Sequence, residues 1–120
     1  MLERLLPKSQ SRVFSVFFAT AIALSAALAG CGGDLGDCPS NSATQQAAGK
    51  AVLTSRCSGC HSPSNAGGNP AEGLDVTVDS VVKSEASDLY GEASEGAMPP
   101  SGRLSDADLE SLRVYLACTQ

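Results

Sequence analysis

The chain has 120 residues, a formal net charge of −5, 42 % hydrophobic residues and only 4 % aromatic ones. That length allows one domain, and the acidic balance argues against nucleic-acid binding. The five cysteines must each be given a place.

The first twelve residues carry Arg4, Lys8 and Arg12 against one acid, Glu3, and an apolar run follows from Val13 to Leu28. This is the layout of a secretory signal peptide, and the run is too short for a membrane span. Its end, Leu28-Ala29-Gly30-Cys31, resembles the lipobox of bacterial lipoproteins. The resemblance implies removal of residues 1–30, acylation of Cys31, and an extracytoplasmic protein held on a bacterial membrane at its periplasmic face. The remaining 90 residues hold five basic side chains and twelve acids, a net charge of −7. Partners of such a surface are expected to present a basic docking face, since complementary charge speeds transient encounters. The three phenylalanines all leave with the signal, and Tyr90 and Tyr115 are the aromatic residues that stay. So small and aromatic-poor a domain needs something besides its own side chains to fill a core.

Residues 31–43 are rich in Gly, Asp, Pro and Ser and read as a flexible tether with a span of roughly 20 Å. A first helix is expected from about Thr44, capped by Thr44 or Ser42, to Arg56, with Val52 and Leu53 on its inner face. It delivers the string Cys57-Ser58-Gly59-Cys60-His61. C-x-x-C-H is the attachment sequence for covalent haem: each thiol adds to one vinyl group of a porphyrin, and the adjacent imidazole reaches the iron. The porphyrin would also supply the missing core volume. Zinc at these cysteines would need two further donors, and a dithiol redox motif would need a βαβ context that this chain lacks.

From Ser62 to Leu74 the prolines and glycines indicate loop. Val78, Val81, Val82, Ala86 and Leu89 follow helical spacing and predict a second helix near Asp79–Tyr90. Gly91–Arg103 reads as loop and contains Met98-Pro99-Pro100. A last helix begins after Ser105, where Ser105-x-x-Asp108 has the form of a capping box, and carries Leu109, Leu112, Tyr115 and Leu116 as its stripe. After loss of the signal, His61 and Met98 are the one histidine and one methionine. A six-coordinate iron would therefore take His61 as proximal and Met98 as distal ligand, because a thioether suits haem iron and two His ligands are impossible. The alternative for a lone methionine is core packing. Cys38 and Cys118 form an even remainder and are expected to pair in a disulfide; free or separately modified thiols are the alternative, since spacing does not fix connectivity.

These residues together resemble the class I, small mono-haem cytochromes c. Gly49 and Leu53, eight and four residues before Cys57, and Leu112-x-x-Tyr115-Leu116 match the positions at which that family crosses its terminal helices. Ser87–Tyr90 and Met98–Pro100 look like segments of cytochrome domains attached to larger bacterial redox enzymes. The resemblance implies an all-α fold of three to four helices around one covalent haem c over residues 44–120. It also implies a monomeric one-electron carrier serving redox partner proteins rather than an enzyme. A haem-based gas or redox sensor with a labile sixth ligand is the alternative. The family's Gly-Pro-x-Leu segment, whose proline carbonyl orients the proximal imidazole, is not present in that form. Pro70 is the nearest substitute and Pro63 the second.

Overall fold

The computed structural model describes residues 32–120, which fold into four α-helices with no strand among the described residues. The signal segment and Cys31 lie outside the described residues. Helix α1 spans Ala43–Arg56 and α4 spans Asp106–Cys118; α2 (Asp79–Ser84) and α3 (Ala86–Glu95) lie between them in sequence.

The two terminal helices form the frame. They cross where α1 has no side chain: a Cβ at Gly49 would stand 2.0 Å from the Ser111 carbonyl oxygen and 2.6 Å from Tyr115 Cβ. Glycine is required there by the closeness of a backbone rather than by its own dihedrals. Val52 and Leu53 of α1 join Leu112, Tyr115 and Leu116 of α4 in one apolar cluster with Val76, Val82, Ala86, Ala93 and Leu104. Helix α4 also packs against α3, so it is the middle element of the fold. Its buried surface is correspondingly wider than the expected stripe and takes in Val114 and Ala117.

Local chemistry sets the helix ends. At α4 the Ser105 hydroxyl accepts the Asp108 N–H at 3.2 Å, with Asp106 and Asp108 in the positively polarised first turn. At α1 the helix begins at Ala43, and Ser42 does not cap a backbone N–H. Its hydroxyl donates to the Pro39 carbonyl at 2.7 Å and accepts from the Gln46 amide at 2.9 Å.

The middle of the chain departs from the sequence expectation. In place of one helix over 79–90 there are two, broken at Glu85 (φ −103°, ψ 8°), and the second continues to Glu95. At the break the Val81 carbonyl accepts both the Glu85 N–H and the Ser84 hydroxyl, each at 3.0 Å. Helix α3 overruns the expected boundary because Gly91 is buried within it and does not stop it. The stop is Gly96, left-handed at φ 79°, whose N–H reaches the Ala93 carbonyl.

A larger correction concerns the expected flexible tether over 31–43. Residues 33–38 are held on the domain. Gly33 and Ser87 exchange two hydrogen bonds, N–H to carbonyl at 2.8 Å and hydroxyl to carbonyl at 2.7 Å. Leu35 packs against the apolar cluster, and its carbonyl accepts from Arg113, which also grips Glu110 at 2.7 and 2.8 Å. Cys38 is disulfide-bonded to Cys118, with Cα atoms 4.7 Å apart. Composition read this stretch as a spacer because its Gly and Asp content gives no apolar periodicity. What it has instead is the absence of side chains where it meets α3.

Candidate haem site

The Cys57–His61 string begins where α1 ends. Cys57 is the C-cap, its N–H donating to the Leu53 carbonyl at 3.0 Å. The chain then turns tightly, and the Cys57 carbonyl receives both the Cys60 N–H (3.2 Å) and the His61 N–H (2.9 Å). One carbonyl thus gathers the three residues of the motif. Cys57 is half-buried against the core and Cys60 is exposed, and both are free thiols. Burial pushes the Cys57 thiol up; the Arg56 charge opposes this and neighbouring Cys60 adds to it.

His61 is fixed at three points. Its N–H is held by Cys57, its carbonyl accepts the Val76 N–H at 2.9 Å, and its ring Nδ1 lies 3.1 Å from the Ala71 carbonyl. A carbonyl can only accept, so Nδ1 carries the proton, and in the neutral ring Nε2 is left with its lone pair. Pro70 and Pro63, the partners expected from sequence, do not hold this ring. The Pro70 carbonyl accepts the Gly73 N–H at 3.0 Å within the turn, while Ala71, next in the chain, offers its carbonyl to both Leu74 N–H and the imidazole. The loop that presents Ala71 is stapled by Asn65, whose amide donates to the Cys60 carbonyl at 3.0 Å and the Asn69 carbonyl at 2.9 Å. The Ala71 N–H returns to the Cys60 carbonyl at 2.9 Å. Sequence reasoning passed over Asn65 and Ala71; an Asn inside a Gly/Pro loop was the available signal, because its side chain can bond nearby backbone.

Met98 sits in the segment joining α3 to α4, half-buried, and is not part of the apolar cluster. Two arginines fasten that segment. Arg103 lies over Gly96, within 3.0 Å of where a Cβ would be, and donates to the Ser94 carbonyl at 2.8 Å. Arg56, adjacent to Cys57, donates to the Gly102 carbonyl at 3.3 Å. The Ala97 and Met98 N–H groups both turn back to the Glu92 carbonyl, at 3.0 and 3.1 Å.

The donor set fits a covalently held haem: two unpaired thiols at the required spacing, an imidazole whose distal nitrogen is free and whose orientation is fixed, and partly buried Leu35, Leu74, Leu89, Tyr90 and Leu109 bordering a small core. Among the described residues no cluster of His, Cys, Asp and Glu offers a competing metal site. An all-helical frame with this motif at the end of its first helix defines a small c-type cytochrome domain. Residues 44–116 match the family described as cytochrome C oxidase, cbb3-type, subunit III, and the chain belongs to that family. No curated protein and no solved structure matches it. As a c-type cytochrome domain it is a haem c-binding electron-transfer protein that exchanges electrons with redox partners.

Proposed function

We propose that the protein is a mono-haem electron carrier, anchored by acyl chains on Cys31 at the periplasmic face of a bacterial membrane, with His61 and Met98 as iron ligands. The observation that carries the ligand assignment is the pairing of two differently prepared side chains. His61 has its Nδ1 engaged by Ala71, which leaves Nε2 as donor, and Met98 is half-buried without belonging to the apolar core. Bound haem supplies a reversible one-electron couple, and His/Met ligation keeps its potential high. The residues of this chain orient the imidazole, hold the methionine segment against both α1 and α3, and present an acidic surface to a basic partner.

The test is the full chain produced in a host that attaches haem c. Intact mass reports one haem and the acyl groups. The ferric protein should show the iron–sulfur charge-transfer band, and the ferrous protein should bind carbon monoxide poorly. Ready carbon monoxide binding without that band would favour the sensor reading.

A further inference from the structure

We propose that the outer face of α3, around Ser87 and Asp88, rests directly on the phospholipid surface, with no spacer between the acyl anchor and the folded domain. The inference rests on the acylation of Cys31 proposed above and adds to it the face presented to the membrane. Gly32 is already in contact with α3: a Cβ there would lie 2.5 Å from Ser87 Oγ and 3.0 Å from Asp88 Oδ1. Gly33 is as close, 2.6 Å from a Tyr90 ring carbon and 2.9 Å from the Gly91 nitrogen by the same measure, and it is locked by its two hydrogen bonds to Ser87. Adjacent Cα atoms are about 3.8 Å apart, so the acylated residue stands one peptide unit from a docked glycine. A free tether would have let the domain tumble at roughly 20 Å from the headgroups. The Arg113 bond to Leu35 and the disulfide at Cys38 prevent the segment from peeling away to provide that length.

Charge does not create this contact. Asp34, Asp88 and Glu92 are exposed at or beside the face, so it would be repelled by anionic lipid. The surface it fits is a zwitterionic bilayer bearing the chain's own acyl groups.

The experiment uses the lipidated holoprotein in phosphatidylcholine vesicles doped with a nickel-chelating headgroup lipid. A nitroxide is placed at Asp88→Cys or, as a control, at Ala51→Cys, which is exposed on α1. The haem absorption spectrum reports that each variant is folded. Nickel should relax the label at position 88 several-fold faster than the label at 51. Inserting about ten Gly/Ser residues after Cys31, a reach of roughly 17 Å, should abolish most of the difference. Equal relaxation at the two positions in protein whose mass includes the acyl groups would overturn the assigned face and leave the anchor standing. A mass without acyl groups would overturn the anchor and this inference with it.

Discussion

Met98 is half-buried yet packs into no apolar cluster, which is a poor use of a hydrophobic side chain unless its sulfur has another task. Met98→Ala is expected to lower the reduction potential and open the ferrous iron to carbon monoxide; voltammetry and gas titration read both. An unchanged potential and spectrum would remove Met98 from the iron. Arg103 acts one step further out. It fixes the segment that carries Met98 by gripping the Ser94 carbonyl, so Arg103→Ala should weaken the iron–sulfur band and raise carbon monoxide binding, to a smaller extent than loss of Met98 itself. Arg103→Lys should rescue it only partly, because an ammonium lacks the planar fork that reaches the Ser94 carbonyl. The haem-attachment motif could be read from residue type and spacing. The partner of His61 could not: which carbonyl faces a ring depends on how a turn is wound, and here the neighbouring carbonyl, Ala71 in place of Pro70, does the holding.

Among the elements, the crossing of α1 and α4 is the most constrained. Gly49→Ala would place a methyl group against the Ser111 backbone, which cannot rotate away as a side chain could. A loss of about 1–3 kcal/mol or more is expected in guanidinium unfolding, the range for overpacked cores. Next to that crossing on α4, the Glu110 carboxyl is held below the usual carboxylate range by its hydrogen bonds from Arg113. A depressed folded value means that its contribution is present above the ordinary carboxylate pKa of about 4.3 and is lost as pH falls through the lowered value. Glu110 is about half exposed, so solvent keeps this contribution small. Glu110→Gln should slightly flatten the fall in stability between about pH 5 and 3. The terminal helices were legible because their apolar residues repeat at helical spacing. The break at Glu85 was not, since the valines and Leu89 keep the helical period straight across it.

For the whole molecule the decisive quantity is how little apolar side chain there is. The largest fully buried side chains are Leu112, Leu116, Val82 and Val114, and none is aromatic. A domain of this size with so modest a core depends on its covalent additions. Cys57→Ser with Cys60→Ser is therefore expected to lose much of its helical circular dichroism, beyond losing the haem spectrum. Replacing Cys38 and Cys118 by serine should be milder in the holoprotein. Chain entropy sets roughly 4 kcal/mol for a loop of this length, and attached haem already restricts the same unfolded chain. Unfolding of the two variants side by side checks that order. The segment before α1 was misread for a reason at this scale. Its composition describes a local chain without preference, while its fixation comes from Ser87, Tyr90 and Arg113, more than fifty positions away.

The bond between Cys38 and Cys118 also changes what a protease can accomplish. Everything from α1 to α4, including the haem motif and Met98, lies inside the covalent ring that it closes, and residues 32–37 form the stem. One cut in the exposed stretch between Pro63 and Asn69 opens the ring without dividing the molecule. The two pieces stay joined through sulfur, and the haem stays linked to the stem by an unbroken path of bonds. In a linear chain the same cut would release the piece that carries α2 to α4 and Met98; here that piece stays attached until the disulfide is reduced.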